Sequence, residues 1–290
     1  MLDNLLCAVS GELMKRILYV TLAMLILALP GSVLFNACSA SNPGVADKAE
    51  ANAAIIDQLS VLNSNGAYSS QLTRFLENYG FKVDLYQGDD ITVDFYRKLP
   101  TLGYKLIIFR SHSSMQTGTL HSSSGDRPVV RTYLFTNEPN SLTSQIGDQL
   151  SNRLAKARID ETFPWVFGIS PDFVTHSMQG SFDHTVVIIM GCYASYVNDL
   201  AQSFIEKGAS AYMGWDACVG LDYVDTATIT LVENLLSNKV SLDAAVKATM
   251  QEKGADPNWG ARLKYYPPQS GNQTIAELSI SNRRPVSEIR

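Results

Sequence analysis

The segment VVIIMGCYAS, residues 186–195, ends an apolar run with a cysteine. Five apolar residues lead into Gly191, and Cys192 follows directly. An apolar run without polar alternation is typical of a strand covered on both faces, as in a parallel sheet. Sites in such sheets gather at the carboxyl ends of the strands. Cys192 is therefore either a packed core thiol or a nucleophile, and the rest of the chain must decide between them.

Similar apolar segments recur along the chain, and amphipathic segments separate them. Leu72, Phe75 and Leu76 have helical spacing before Gly80, which is a typical helix stop. This alternation predicts an α/β fold with a mainly parallel central sheet and helices on both faces. Strands are predicted at 53–62, 82–86, 105–112, 186–192 and 209–216, with a late one at 275–280.

The middle of the chain, about 113–183, is predicted to be an irregular region inserted beside the sheet. A hairpin and one or two helices would fit its sequence, and residues 144–157 have a polar, helix-like pattern. Residues 53–290 are otherwise predicted to form a single domain, since 290 residues with 46% hydrophobic content suffice for one large core.

The first residues have the pattern of an export segment. Lys15 and Arg16 precede the apolar run 17–29, and Pro30 follows. This pattern predicts a signal peptide or a membrane anchor over 1–37, followed by a polar tether over 38–52. Cys38, in FNACSAS, resembles the lipidated cysteine of a bacterial lipoprotein box, although a plain signal peptide and an uncleaved anchor remain open. The predicted location is the cell envelope, membrane-anchored or secreted.

Composition and missing motifs exclude several classes of function. The net charge of −5 and the lack of a basic run argue against a nucleic-acid partner. The sequence contains no CxxC pair and no HExxH motif that would indicate a metal site. It also contains no phosphate-binding glycine motif that would indicate a nucleotide site. We therefore predict no cofactor and no metal, and the sequence leaves the oligomeric state open.

A histidine stands at a second predicted strand end. LIIFRSH, residues 106–112, ends with His112, just as VVIIMGC ends with Cys192. Neighbouring parallel strands would bring the two side chains within reach of each other. A histidine beside a cysteine can deprotonate the thiol, and the thiolate then attacks a carbonyl carbon. Taken alone, Cys192 would more simply be a core thiol.

These residues also carry a resemblance. Residues 53–254 resemble the caspase-like cysteine peptidases of the gingipain and CHAT type, through LIIFRSH, VVIIMGC and the following LAQSFIEKGASAYMGWD. The resemblance implies a caspase-like three-layer sandwich with His112 as general base and Cys192 as nucleophile. It also implies an oxyanion hole made by the backbone N–H groups of Ser113 and Cys192. Ser113 stands where the family usually has glycine.

Two further residues follow the next predicted strand. Asp216 is a candidate for binding a substrate lysine or arginine, or else it caps a helix or turn or pairs with Arg110. Trp215 either forms a wall of the substrate pocket or packs in the core. The sequence thus predicts an exported cysteine endopeptidase acting on a peptide or protein substrate, with cleavage after Lys or Arg if Asp216 lines the pocket. The alternative is a catalytically degenerate binding protein of the cell envelope.

Overall fold

The apolar segments of the sequence form a six-stranded central sheet in the computed structural model, which describes residues 51–120 and 127–279. Its order is β2-β1-β3-β8-β9-β10, and all neighbours are parallel except the last pair. Among the described residues, the strands are β1 (Ala51–Asp57), β2 (Phe81–Gln87), β3 (Leu106–Arg110), β4 (Ser113–Leu120), β5 (Arg127–Pro139), β6 (Leu154–Ala157), β7 (Val166–Ile169), β8 (Thr185–Ile189), β9 (Ala209–Trp215) and β10 (Leu263–Tyr266).

Helices cover both faces of this sheet, as the sequence predicts. They are α1 (Gly66–Tyr79), α2 (Val93–Lys98), α3 (Ile146–Leu150), α4 (Pro171–His176), α5 (Asp199–Glu206), α6 (Leu221–Leu236), α7 (Leu242–Lys253) and α8 (Ile275–Ser279). Helices α1, α6 and α7 pack on one face, and α2, α4 and α5 pack on the other. The structure therefore confirms a mixed α/β fold with a mostly parallel sheet between helical layers.

Alternate residues of each central strand serve the two faces. Ile55 and Ile108 join the cluster under α1 and α6, whereas Ile56 and Ile107 join the cluster under α2 and α5. All four side chains are fully buried. Because both faces of the strand are covered, the apolar run needs no polar alternation.

The strand order reverses direction between β1 and β3. The chain leaves β1 through α1 to reach β2 on one side, and it then passes through α2 to reach β3 on the other side of β1. Since α1 and α2 lie on opposite faces, the connections diverge at the carboxyl ends of β1 and β3. Such a point opens a crevice in an open α/β sheet, and ligands bind there preferentially.

The inserted region, about 113–183, is more regular than its sequence suggests. It contains an antiparallel four-stranded sheet of order β4-β5-β7-β6, in which β4 and β5 form the predicted hairpin. The helix-like pattern at 144–157 was a wrong prediction over most of its length. Only α3 is helical, because Asn152 adopts a left-handed conformation and the chain then pairs with β7 as β6.

The end of the domain also differs from the prediction. The strand predicted at 275–280 is the helix α8 as far as the chain is described, and the edge strand is instead β10, which pairs antiparallel with β9. Thr274 and Glu277 form a reciprocal capping box, in which each side chain accepts the other's backbone N–H. This T-x-x-E signal identifies a helix start.

The predictions for the amino-terminal region fall outside the described residues. These are the signal or anchor over 1–37, the lipidation site Cys38 and nearly all of the tether over 38–52. Within 51–120 and 127–279, no helix is both long and apolar enough to cross a bilayer.

Candidate active site

The two residues of the predicted dyad lie at the ends of adjacent central strands. His112 follows β3 by two residues, and Cys192 follows β8 by three. The parallel register pairs Phe109 with Ile189, so both chains leave the sheet at the same level. The structure thus brings the backbones of His112 and Cys192 to one edge of the sheet.

The backbone on both sides of Cys192 is tied to its neighbours. The Ser113 hydroxyl donates a 2.5 Å hydrogen bond to the Cys192 carbonyl oxygen. The Tyr193 N–H donates to the Ala217 carbonyl oxygen at 3.0 Å. The loop after β8 is therefore fixed by the chain that follows β3 on one side and by the chain that follows β9 on the other.

Gly191 is required by this close approach. A Cβ atom at Gly191 would lie 2.1 Å from the Ser113 Oγ and 2.7 Å from the Ser111 carbonyl oxygen. The Ser113 side chain occupies the space above Gly191, and from this position its hydroxyl donates to the Cys192 carbonyl oxygen. Ser113 thus has a structural role, and the absence of a side chain at Gly191 provides the space for it.

Tyr193, directly after the cysteine, has a left-handed backbone with φ of 58°. A bulky residue rarely adopts this conformation, and strain of this kind is concentrated at functional sites. The hydrogen bond from Tyr193 to Ala217 holds it in place. The turn presents Cys192 at the sheet edge at a conformational cost.

The Cys192 thiol is turned toward the loop that follows β9. Its sulfur lies 3.3 Å from the Val219 N–H nitrogen, which donates to it, and 3.4 Å from the Cys218 sulfur. The second distance exceeds the roughly 2.05 Å of a disulfide bond, so the two cysteines are not bonded to each other. Burial, with a smaller contribution from Asp256, raises the pKa of Cys192, which keeps the thiol protonated at neutral pH.

The His112 imidazole is a neutral base in this structure. Burial, together with the positive charge of Arg110, lowers the pKa of His112 to about 4. The centre of the imidazole ring lies 5.9 Å from the centre of the Phe135 ring on β5. The backbone N–H of His112 donates to the Gln58 Oε1 at 2.9 Å. The imidazole and the thiol thus contact different elements, although their backbones are adjacent.

Arg110 forms a buried ion-pair network directly beneath this edge. Its Nε and Nη2 donate to the two carboxylate oxygens of Asp225 at 2.8 and 3.0 Å, and its Nη1 donates to Asp57 at 2.9 Å. Nη1 also reaches the Asn63 carbonyl oxygen, and the Asn65 side chain donates to Asp225. The carboxylate partners of Arg110 are thus Asp57 and Asp225, and not Asp216, whose pairing with Arg110 the sequence left open.

Asp216 and Trp215 occupy different environments at the end of β9. The Asp216 carboxylate accepts a hydrogen bond from the backbone N–H of Arg262 at 2.7 Å, and it lies 3.5 Å from the Lys264 Nζ. Asp216 thus joins β9 to the β10 segment, and its predicted role in binding a basic substrate residue stays a prediction. Trp215 is only 1% exposed and packs edge-on against Tyr223, an environment that favours core packing over a pocket wall.

Comparison with known proteins supplies no relative for this site. No family model matches the chain, and no curated protein matches it.

Replacing Arg110 with leucine will destabilise the domain strongly. The substitution leaves the buried carboxylates of Asp57 and Asp225 without their counter-ion, and breaking a buried pair in this way costs about 3–5 kcal/mol. The matched control is Arg131→Met, which removes the half-exposed pair with Asp172 and should cost under about 1 kcal/mol. Urea unfolding measures both, and equal losses would contradict the dominance of the buried network.

Gly191→Ala will destabilise the fold by about 1–3 kcal/mol, because the added methyl group overlaps Ser113 and the Ser111 carbonyl. Gly66→Ala is the control, since a Cβ there meets nothing within 4 Å and Gly66 begins a helix. Thermal unfolding should separate the two variants. A Gly191→Ala protein as stable as the Gly66→Ala protein would refute the packing described above.

The lowered pKa of His112 makes a specific contribution to acid instability. The unfolded chain binds a proton at His112 near pH 6.5, whereas the folded chain does so only near pH 4. Stability should therefore fall as the pH drops from 6.5 to 4, by about 3 kcal/mol from this residue alone. Urea unfolding of the His112→Gln protein should show a loss of stability over this pH range that is smaller by about 3 kcal/mol. Parallel pH profiles for the two proteins would show that His112 is not buried as a neutral ring.

Proposed function

We propose that this protein is an exported cysteine endopeptidase of the caspase-like type that uses His112 and Cys192. The observation that carries the proposal is the placement of these two residues after adjacent parallel strands that end at one level. The sheet order, with an antiparallel last strand, is compatible with the caspase-like sandwich that the sequence resembles. The strained turn at Tyr193 adds support, since it maintains Cys192 at that edge.

The reaction assigns one role to each side chain. The neutral imidazole of His112 takes the thiol proton of Cys192, and the thiolate attacks the carbonyl carbon of the scissile peptide bond. The imidazolium returns the proton to the departing amine, which leaves a thioester on Cys192. Water, deprotonated by His112, hydrolyses the thioester and restores the thiol. The N–H groups of Ser113 and Cys192 would stabilise the oxyanion formed in each half of the reaction.

The proposal requires the sulfur to turn from Val219 toward His112. One rotation about the Cα–Cβ bond separates the staggered positions of a cysteine side chain. Hydrogen bonds from Ser113 and to Ala217 hold the loop backbone on both sides, so we expect the side chain alone to turn. Catalytic hydrogen bonds are often formed only once substrate is bound, so the contact with Val219 describes a resting state.

The second candidate is a catalytically degenerate binding protein on the same fold. The observation that favours it is the environment of the thiol, which is protonated by burial and hydrogen-bonded to Val219 instead of His112. In that case Cys192 would be a packing residue at the sheet edge, and the lowered pKa of His112 would reflect only burial and the charge of Arg110. The labelling experiment below separates the two candidates.

Export, membrane attachment and substrate class belong to the same proposal. Export and the lipidation of Cys38 rest on the sequence of 1–52, which places the peptidase at the cell envelope, anchored or secreted. Cleavage after Lys or Arg rests on Asp216, whose carboxylate would have to leave Lys264 to meet a substrate cation. The substrate in either case is a peptide or protein.

A peptidyl acyloxymethyl ketone tests the nucleophile. Its reaction leaves a thioether on the attacking cysteine, and peptide mapping by mass spectrometry should locate the label on Cys192. Cys192→Ala should abolish labelling, and His112→Ala should slow it by about 10²- to 10⁴-fold through loss of the base. His184→Ala is the control, because that imidazole lies at the surface with its side chain 42% exposed.

Labelling that survives Cys192→Ala would overturn the nucleophile assignment. Equal rates for His112→Ala and His184→Ala would remove His112 from the mechanism. A folded wild-type protein that no probe labels would favour the degenerate binding protein.

A further inference from the structure

A cavity of about 160 Å³ lies near His112, since two of its lining residues, Gln58 and Phe135, contact His112. Its walls are mostly apolar and come from the turn after β1, from β5 and from the segment leading into β7. The apolar residues lining it are Val61, Leu62, Phe135, Ile159, Phe163 and Val166. The volume is below the 300–1,000 Å³ or so typical of cofactor and drug-sized pockets, and it suits a single side chain.

The cavity lies at the crevice where the strand order reverses. Gln58, which begins the turn after β1, forms part of its floor, and Phe135 forms part of its wall. The ring centre of Phe135 is 5.9 Å from that of His112, and the Phe135 N–H donates to the His112 carbonyl oxygen. A group bound in the cavity would therefore lie next to residues that contact His112.

The polar floor of the cavity has its hydrogen bonds satisfied internally. The Gln58 Oε1 accepts the His112 N–H, and the Gln58 Nε2 donates to the Asn137 Oδ1 at 2.7 Å. The Asn137 Nδ2 donates to the backbone carbonyl oxygens of Gln58 and Gly88. All four side-chain amide atoms of this pair are thus engaged, which leaves the floor with little to offer a charged or polar ligand.

The charges at the rim cancel. Arg158 and Asp89 both line the opening, and they carry opposite signs. The Arg158 guanidinium is stacked over the Trp165 ring at 4.2 Å, which holds it at the edge. Val61 and Leu62 are 53% and 39% exposed, so the apolar lining of the cavity extends to the protein surface.

We propose that this cavity is a specificity pocket that receives one bulky apolar side chain, such as Leu, Met or Phe, from a peptide substrate next to the scissile bond. The inference rests on the proposed peptidase function, and it adds a substrate preference separate from the one assigned to Asp216. Burial of one such side chain should favour apolar substrates over their Ala counterparts by roughly tenfold to a hundredfold.

Binding is tested first without catalysis, on the full chain carrying Cys192→Ala. N-acetyl amino-acid amides of Leu, Phe, Ala and Lys serve as probes, and ligand-observed NMR measures their binding. The Leu and Phe amides should bind at millimolar concentration, and the Ala and Lys amides should not. Adding Val61→Trp, which fills the mouth from an exposed position, should abolish binding. Leu142→Trp is the matched control, since Leu142 is 88% exposed and does not line the cavity.

Covalent labelling then tests the pocket in the wild-type protein. Acyloxymethyl ketones that differ only in one side chain should label Cys192 roughly tenfold to a hundredfold faster with Leu or Phe than with Ala at one position next to the reactive carbonyl. Val61→Trp should remove the preference, whereas the control Leu142→Trp should keep it. Ile159→Ala, which enlarges the cavity, should shift the preference from Leu toward Phe.

The outcomes distinguish the two proposals. Labelling of Cys192 without a side-chain preference would support the peptidase and overturn the pocket. Amide binding that is lost in Val61→Trp, with no labelling by any probe, would support the pocket and overturn the peptidase. Absence of amide binding to a folded Cys192→Ala protein overturns the pocket whatever the labelling shows.

Discussion

The buried guanidinium of Arg110 determines how the carboxyl edge of the central sheet is assembled. It joins the end of β3 to the end of β1 through Asp57 and to α6 through Asp225, and it lies 5.5 Å from the centre of the Tyr68 ring on α1. One cation between two anions is stable in a dry interior only when geometry and hydrogen bonds are nearly complete, and here they are. Strands and helices from distant parts of the sequence therefore meet at one fixed point, directly under the candidate site.

Above this network, the two candidate residues are placed by backbone contacts and not by contacts between their side chains. Gly191 lets the loops after β3 and β8 approach until the Ser113 hydroxyl reaches the Cys192 carbonyl. The imidazole and the thiol then lie in separate environments, each neutral because burial disfavours its charged form. Such a site combines a rigid frame with two reactive groups that a bound peptide would have to bring together.

Much of the fold could be predicted from the sequence because long apolar runs have one physical explanation, burial on both faces. The strands carrying His112 and Cys192 were found in this way, and so was the edge at which they meet. The short strands β6 and β10 were not predicted, since four residues carry too little periodic pattern. Their strand conformation depends on their pairing with β7 and β9, which forms only on folding. The direction of the Cys192 thiol was equally out of reach, because Val219 and Cys218 are close to it only in the folded chain.

The chain passes from the central sheet to the second sheet through only two residues, Ser111 and His112, since β3 ends at Arg110 and β4 begins at Ser113. A connection this short leaves little conformational freedom, so a movement of the β4–β5 hairpin would also move the backbone of His112. The hydroxyl of Ser113, the first residue of that hairpin, donates a hydrogen bond to the Cys192 carbonyl oxygen. Because His112 lies in this connection and Ser113 begins β4, a displacement of the second sheet would change the spacing between the imidazole and the thiol.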